Sequence, residues 1–471
     1  MALIAPFRGI RYNQGKIGRL KDVVTPPYDV IDEKAQAAFT AKNPYNVIRL
    51  DICKHKGKES GNSDRYEKAK DLFHGWLDDG VLIRDTAPSI YLYYIDYDHP
   101  SGKRLTRKGL VALVGLADFS EGIVKPHERI FMDVISDRLQ LMDTCRAHFS
   151  QVFSLFSDRN GEIMECLERA CPDEPILSVT DQHGSKHRIW PVSDLEMIDR
   201  VQSLFQDRSL YIADGHHRYT TALQMQNRMR DRLGELSKES PFNFTVMYLC
   251  PMEDPGLSVL PTHRLVRLIS GTKSKGSSVE PEMDKLARDL DPAFQIEEIK
   301  GGSGLDLLTA TLARMDKERG GAEFGHAGPA MFGLYHTVED RCLFLTLKNG
   351  IMRKTFGNSM PAALQELDVV VLSDLLFERI LGLDHDLCEK ENLISYFADQ
   401  ADALNASPDE SFGNGKAPYL LFLMNNTPVS QVKKVADKGL IMPHKSTYFY
   451  PKILTGLLMN RIDPNEEVKL P

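Results

Sequence analysis

One local unit constrains this chain more than any other, residues 208–236 with the sequence RSLYIADGHHRYTTALQMQNRMRDRLGEL. It opens with a short apolar run from Leu210 to Ala213, which predicts a strand. Gly215 then marks a tight turn, and a long segment with helical spacing follows it. The unit therefore predicts a strand that turns directly into a long helix.

Other segments predict further strands and helices in an irregular order. The segments 89–99 and 108–118 predict paired strands, and 330–336 and 342–348 predict a second pair. Helical spacing predicts a helix over 64–79. Because strands and helices do not alternate regularly, we predict an α+β protein with mixed sheets rather than a doubly wound sheet.

Three more segments carry local predictions that bear on the candidate sites. The segment NVIRLDI at 46–52 is rich in β-branched residues and predicts a strand. The segment 136–151 predicts a helix, with Ser136 as a candidate N-cap. The segment LISYFADQADALN at 393–405 predicts another helix.

The best candidate for a linker is the polar stretch ISGTKSKGSSVEPEMD at 269–284, which is rich in glycine, serine and lysine. It divides the chain into an N-terminal region, 1–268, and a C-terminal α+β region, 285–471. A length of 471 residues agrees with two or three domains.

Charge and composition exclude several classes of protein. With 58 Lys and Arg against 66 Asp and Glu, the net charge is −8, which argues against a nucleic-acid partner. No apolar run reaches the length of a membrane span, and the N-terminus lacks the pattern of a signal peptide, so we expect a cytoplasmic protein. The seven cysteines form no Cys-x-x-Cys pair, which argues against structural zinc and a disulfide framework.

The segment Asp214–Arg218 is the sharpest candidate for chemistry. A helix start presents unpaired N–H groups and the positive end of the helix dipole, and both favour anions. Gly215 would allow a phosphate to approach the backbone, while His216, His217 and Arg218 add donors. Asp214 could cap the helix or accept a hydrogen bond from a substrate. The alternatives are an ordinary capped helix or a zinc site, and the zinc site lacks both a His-Glu-x-x-His pattern and a cysteine partner, so we predict no protein metal site.

A second charged segment, Lys125–Arg129, lies upstream. Phosphoryl transfer to a hydroxyl needs a carboxylate that orients the hydroxyl and accepts its proton, and Glu128 is a candidate. His127 and Arg129 would then contact phosphate. The alternative is a solvated loop.

Further segments could contribute to a pocket or only brace the fold. The sequence has no P-loop and no clear Gly-x-Gly-x-x-Gly after a strand, so a nucleotide would have to be bound by a different phosphate-binding motif. His263 and Arg264 follow Pro261-Thr262 beside a strand end, and the lysines and hydroxyls of 445–452 could clamp a phosphate or form an aromatic core strand. The remaining candidates are two tight polar turns, Pro26–Asp29 and Asn43–Asn46.

Six motifs occur in the order seen in a bacterial protein family known as a domain of unknown function, and the chain resembles that family over nearly its whole length. The motifs are TPPYDVI, NPYNVIRL, KPHER, YIADGHHRYTTAL, LPTHRLV and MPHKSTYFYPK. The part from PHER to DGHHR also resembles the free-serine kinases of the ParB/sulfiredoxin-like superfamily. The chain departs from the family pattern at Ile130, where threonine is common, and at His444, where proline is common.

The resemblance implies a ParB/sulfiredoxin-like phosphate-binding core within about 110–235. It also implies phosphoryl transfer between a nucleotide, ADP or ATP with Mg²⁺, and a small hydroxyl metabolite such as L-serine or O-phosphoserine. Two alternatives stay open: a nucleotide-binding regulator of the ParB-like type, and a phosphoserine phosphatase. The predicted catalytic residues are Glu128, Asp214 and His217; the predicted nucleotide and phosphate ligands are Gly215, His216, Arg218, Tyr219 and Thr220; the predicted substrate ligands are His127, Arg129, His263, Arg264, Lys445, Ser446 and Thr447.

Overall fold

The computed structural model describes five ranges of the chain, 1–51, 64–267, 282–319, 328–406 and 419–470. These residues form two compact units. The first unit comprises Met1–Pro126, Ile130–Ser258 and Pro451–Pro471, and the second comprises His127–Arg129 and Val259–Tyr450. The predicted domain boundaries stay a prediction, and most of the predicted linker lies outside the described residues.

The first unit is built around a nine-stranded mixed sheet. Its strands lie in the order Val124–Lys125, Leu210–Asp214, Val152–Phe156, Phe244–Pro251, Arg104–Gly115, Ile90–Asp98, Lys186–Val192 and Leu177–Thr180, with Ile4–Ala5 paired to Arg104–Gly115. Two small antiparallel pairs complete its strands, Ile10–Tyr12 with Leu82–Arg84 and Ala147–His148 with Asn460–Arg461.

The two long central strands show why this sheet forms. Ile90–Asp98 and Arg104–Gly115 pair antiparallel, with Leu92 opposite Leu110. Alternate residues of each strand point to the same face, so these leucines reach one buried apolar cluster together with Met247. Burial of that face fixes the register, because a shift by one residue would turn the leucines to the opposite face.

Helices and short 3₁₀ turns surround the first sheet. The helices are Gln14–Ile17, Glu33–Lys42, Asp64–Asp78, Met132–Cys145, Glu162–Ala170, Leu195–Phe205 and His216–Leu233. The 3₁₀ turns are Leu20–Asp22, Tyr28–Val30, Val47–Arg49, Phe119–Glu121 and Pro241–Asn243.

Two local predictions for this unit are wrong. The predicted strand at 46–52 contains the 3₁₀ turn Val47–Arg49, because the Asn46 carboxamide accepts a hydrogen bond from Ile48 N–H and donates one to Asp22 O. Such a local side-chain bond offers the backbone an alternative to a strand. Ser136 is not an N-cap, since the helix already begins at Met132.

The second unit has a six-stranded antiparallel sheet. Its strands lie in the order Phe294–Ile299, Arg341–Leu347, Met331–His336, Tyr419–Leu423, His263–Arg267 and Ile394–Phe397. Two further strands, Ser258–Leu260 and Tyr448–Tyr450, pair with each other. The helices of this unit are Met283–Leu290, Leu305–Arg319, Ile351–Phe356, Ala362–Gln365, Asp368–Val370, the π-helical Val371–Ile380, His385–Lys390, Gln400–Asn405 and Val429–Asp437.

The predicted single helix at 393–405 divides into the strand Ile394–Phe397 and the short helix Gln400–Asn405. The strand pairs with His263–Arg267, and Asp399 caps the helix by accepting hydrogen bonds from the N–H groups of Ala401 and Asp402. The fold as a whole is mixed α+β with several sheets. Within the described ranges, no helix is both long enough and apolar enough to cross a membrane.

Candidate functional site

The strand-to-helix turn of the first unit forms as the sequence predicts. Strand Leu210–Asp214 ends at Gly215, which caps helix His216–Leu233 with a φ of 89° and a ψ of 31°. This left-handed conformation is the reason for glycine at the turn. A second reason is space, because a Cβ at this position would lie 2.8 Å from Arg218 Nε.

Arg218 and Asp214 form a partly buried ion pair across this turn. Arg218 donates to Asp214 Oδ2 at 2.9 Å and also to the carbonyl oxygen of Gln151. Lys452 donates to Asp214 Oδ1 at 3.2 Å, so two cations contact one carboxylate. Burial is the largest single influence and lowers the pKa of Arg218, but Asp214, Asp29, Tyr28 and Asp51 together outweigh it, so the pKa is raised. Arg218 therefore stays charged at the start of the helix.

Replacement of Gly215 by alanine tests this geometry. We expect Gly215→Ala to lower the free energy of unfolding by about 1–3 kcal/mol, because an L-residue is strained at this φ and its Cβ displaces Arg218. Gly75→Ala is the control, since Gly75 lies inside helix Asp64–Asp78 and has open space where a Cβ would lie. It should be neutral or slightly stabilising. Urea unfolding measures both, and equal effects would contradict the assignment.

The two histidines of the turn have different surroundings. His216 is the first residue of the helix and is buried. His217 accepts a hydrogen bond at Nε2 from the N–H of Phe131, 2.9 Å away, and its ring stacks on Phe131 at a centroid distance of 5.8 Å. Because Nε2 acts as an acceptor, a neutral His217 carries its proton on Nδ1.

Tyr219 and Thr220 follow one turn further along the helix. The Tyr219 hydroxyl donates to the carbonyl oxygen of Ala117 and accepts from the N–H of the same residue, and the ring lies in the apolar cluster of the sheet. This geometry gives Tyr219 a packing role. Thr220 is buried, and its hydroxyl has no hydrogen-bond partner within the described ranges.

A small cavity of about 40 Å³ lies beside this ion pair in the first unit. Its lining includes Arg218 and Thr221 from the helix after the glycine turn and Tyr28 from the Pro-Pro-Tyr-Asp turn. The other lining residues are Asp51, Arg138, Leu141, Met142, Ala147, His148, Phe149, Ser150 and Thr245. The turn at Pro26–Asp29, for which the sequence left both roles open, thus contributes to a cavity.

Arg138 is a buried site residue that the sequence did not single out. It donates to Asp51 Oδ1 at 2.6 Å and to Asp137 Oδ2 at 2.6 Å, and its guanidinium lies 4.5 Å from the centroid of the Tyr28 ring. Burial raises the pKa of Asp51, and Arg138 and Arg218 counteract this rise. In the sequence Arg138 has the spacing of a helix-surface charge, so no local signal separates it from solvent-exposed arginines.

In the second unit, Glu128 lies on a short extended segment next to Met442. The Met442 N–H donates to the carbonyl oxygen of His127 at 2.8 Å. The Glu128 carboxylate accepts a hydrogen bond from the N–H of Lys445 at 3.4 Å, and His444 Nδ1 lies 3.3 Å from the same oxygen, Oε1. His444, one of the two residues at which the chain departs from the family pattern, is therefore in contact with Glu128, the predicted base.

Three more predicted substrate residues join this group. His127 Nε2 lies 3.2 Å from the Thr447 hydroxyl. Ser446 donates from its hydroxyl to the carbonyl oxygen of Pro443 at 2.5 Å, and its own carbonyl accepts a hydrogen bond from the Thr427 hydroxyl at 2.8 Å. Lys445 adopts a left-handed φ of 57°. Hydrogen bonds thus hold the His-Lys-Ser-Thr turn in a fixed shape beside Glu128.

Arg264 connects this turn to the sheet of the second unit, because it donates to the carbonyl oxygen of Lys445 at 2.9 Å and also to that of Thr262. Its burial lowers its pKa to about 10, so it remains charged at neutral pH. His263 accepts from the N–H of Met424 at 3.1 Å, and burial lowers its pKa to about 4, so it is neutral. Arg129 is exposed.

The fold and these sites define a mixed α+β protein with a partly buried arginine–carboxylate pair at a glycine turn. A family model described as "Protein of unknown function (DUF1015)" matches residues 4–370, and the chain belongs to this family. No curated protein matches it. Within the described ranges, no three His, Cys, Asp or Glu side chains are grouped so that they could hold a metal ion.

Among solved structures, the chain is similar to a conserved hypothetical protein from Pyrococcus furiosus, with 13% identity and a TM-score of 0.29 over 70% of this chain and 89% of that one. It is similar to a free serine kinase in complex with AMP, with 11% identity and a TM-score of 0.29 over 74% of this chain and 88% of that one. It is also similar to C-terminally truncated SbnI from Staphylococcus aureus, with 9% identity and a TM-score of 0.30 over 73% of this chain and 85% of that one.

Proposed function

We propose that this protein is a nucleotide-dependent phosphotransferase that moves a phosphoryl group between a nucleotide and a small hydroxyl metabolite, with L-serine and O-phosphoserine as the substrate pair. The proposal includes a ParB/sulfiredoxin-like phosphate-binding core within about 110–235. Asp214, Gly215, His216, Arg218 and Thr220 are the residues proposed for the phosphate side of this reaction.

The observation that carries the proposal is the convergence of Arg218 and Lys452 on Asp214 at the glycine turn. The helix that follows has 18 residues, so its first N–H groups and its dipole add positive potential where the two cations already lie. A transferring phosphoryl group carries its charge on three oxygens, and fixed cations and N–H groups stabilise that charge. The resemblance of the Asp-Gly-His-His-Arg motif to that of the free-serine kinases supports the same reading.

Glu128 is proposed as the base. In the forward direction the substrate hydroxyl oxygen bonds to the transferred phosphorus, the bond from phosphorus to the bridging nucleotide oxygen breaks, and the hydroxyl proton passes to Glu128. The hydrogen bond from the Lys445 N–H fixes the orientation of the carboxylate. His127, Lys445 and Thr447 are the residues of the second unit that we propose for substrate contacts.

Mg²⁺ fits this residue set when it is bound mainly through the phosphates. The ion commonly takes one or two protein carboxylates and fills its other positions with phosphate oxygens and water, so a dedicated protein cage is not needed. Both Asp214 oxygens already accept hydrogen bonds from cations, Oδ1 from Lys452 and Oδ2 from Arg218, so the phosphates rather than a protein carboxylate would hold the ion. When bound, Mg²⁺ supplies neutralisation of charge on the phosphate oxygens.

Phosphorus NMR of the purified protein tests the proposal, with Mg²⁺, O-phosphoserine and ADP in one sample and Mg²⁺, L-serine and ATP or ADP in another. We expect phosphorus signals to exchange between phosphoserine and nucleotide. Release of free phosphate alone would support a phosphatase instead. Slow hydrolysis of the nucleotide that does not respond to serine would support a nucleotide-binding regulator, and either outcome would contradict the transferase.

A further inference from the structure

The cavity of the first unit brings together residues from distant parts of the sequence, and the proposed phosphate chemistry leaves most of them unused. Tyr28 and Asp51 come from the N-terminal turns, Arg138 comes from helix Met132–Cys145, and Arg218 and Thr221 come from the helix after the glycine turn. Charged groups of both signs thus line one small cavity.

The charges on this lining match a ligand that is itself charged at both ends. Arg138 and Arg218 are cationic, and Asp51 is a carboxylate that Arg138 contacts at 2.6 Å. A guanidinium has five N–H donors and a carboxylate has about four acceptor positions, so each can bond to a ligand in addition to its protein partner. His148 also lines the cavity, and burial lowers its pKa to about 4, so it adds no charge at neutral pH.

The size of the cavity limits the ligand. One ordered water needs roughly 10–15 Å³ in the same measure, so a cavity of about 40 Å³ accepts a polar group of only a few non-hydrogen atoms. Pockets for drug-sized ligands are roughly 300–1,000 Å³. A nucleotide therefore does not fit within this cavity, and a phosphate would place its charge next to the Asp51 carboxylate.

Thr221 provides an independent indication of a ligand. It lies one turn after Arg218 on the same face of the helix and lines the cavity. Its side chain is fully buried, and its hydroxyl has no hydrogen-bond partner among the residues that the structure describes. A buried hydroxyl without a partner is costly, and a polar ligand in the cavity would supply that partner.

We propose that this cavity binds the head group of a small free α-amino acid, with its carboxylate at Arg138 and its ammonium at Asp51, while Arg218 stays on the phosphate side. The Thr221 hydroxyl bonds to the same head group. This assignment rests on the proposed function, because it identifies where the amino-acid substrate of the phosphotransferase is held and which residues recognise it as an amino acid. The ligand class follows from the paired opposite charges and the small volume.

Isothermal titration calorimetry of the full chain tests the assignment with four small probes: glycine, ethanolamine, acetate and inorganic phosphate. Glycine has no side-chain hydroxyl, so its binding does not depend on phosphoryl transfer. We expect glycine to bind, and ethanolamine and acetate, which each lack one charged end, to bind at least about tenfold more weakly. The proposal would be overturned if phosphate bound and glycine did not, and if the phosphate binding weakened in Thr221→Val. The cavity would then be a site for an oxyanion rather than for an amino acid.

Two variants and a control locate the binding. Thr221→Val should weaken glycine binding about threefold to tenfold, and Asp51→Asn should weaken it about tenfold to a hundredfold. The control Thr455→Val removes another buried hydroxyl without a described partner in the same unit, one that does not line the cavity, and it should leave binding unchanged. Because Thr221→Val preserves shape, it remains informative if Asp51→Asn fails to fold.

The same variants separate failure of this assignment from failure of the proposed function. Glycine binding that weakens in Thr221→Val, in a protein that transfers no phosphoryl group, would keep the cavity assignment and reject the transferase. Phosphoryl transfer with an unchanged KM for serine in both variants would keep the transferase and reject the cavity assignment.

Discussion

The Glu128→Gln variant is expected to lose phosphoryl transfer by a factor of about 10²–10⁴, the usual contribution of a positioned general base. Glutamine keeps the shape of the side chain and can still accept the hydrogen bond from the Lys445 N–H, so the local fold should survive. Nucleotide binding should be unchanged, because the residues proposed for the phosphates lie elsewhere in the sequence. Phosphoryl exchange by phosphorus NMR and nucleotide binding by calorimetry give the two measurements.

Glu339→Gln is the matched control for this variant. Glu339 lies in the same unit, accepts a hydrogen bond from the N–H of Met283 at 2.8 Å, and has a histidine, His336, at 3.9 Å. Its side chain is 28% exposed, close to the 26% of Glu128. Loss of activity in both variants would indicate a general effect of removing such a carboxylate, and full activity in Glu128→Gln would reject Glu128 as the base.

The Arg138→Met variant is expected to lower the free energy of unfolding by about 3–5 kcal/mol. Arg138 is buried between Asp51 and Asp137, and methionine would leave the Asp51 carboxylate without its counter-ion in a buried place. Asp137 would retain its contacts with Arg65 and Tyr66. Most of the loss should therefore come from Asp51. Urea unfolding, analysed by linear extrapolation to zero urea, measures the change in the free energy of unfolding.

Two further variants test the cause of that loss. Arg228→Met removes an arginine from a more exposed pair with Asp143 and should cost less than about 1 kcal/mol. In the double variant Arg138→Met/Asp51→Asn, the neutral amide no longer needs a counter-ion, so much of the lost stability should return. Equal costs for Arg138→Met and Arg228→Met would contradict a buried charge network.

The sequence predicted the strand and the glycine turn of the candidate site because their determinants are local. Leu210–Asp214 is an apolar run, and Gly215 accepts a φ that other residues avoid. The approach of Arg218 to Asp214 follows from their separation of four residues across this turn. The paired strands 89–99 and 108–118 were predictable in the same way, from apolar and β-branched runs separated by a short turn.

Other features depend on partners that are distant in the sequence. The segment 46–52 has the composition of a strand, yet the Asn46 carboxamide bonds to Asp22 and the chain turns instead. Tyr219 belongs to the predicted phosphate motif, but its hydroxyl is held by the backbone of Ala117. A helical residue faces either a ligand or the core according to the sheet against which it packs, and the motif alone does not contain that information.

The sequence by itself thus determined the family, the mixed α+β class and the strand–glycine–helix turn, because these rest on motif order, periodicity and the conformational freedom of one glycine. Only the tertiary structure decided that Arg138 and Asp51 are buried together beside Arg218, and that His444 lies next to Glu128. The physical reason is that burial and ion pairing are properties of packed surfaces, and residues separated by about 80 positions or more share no local pattern that would indicate their contact.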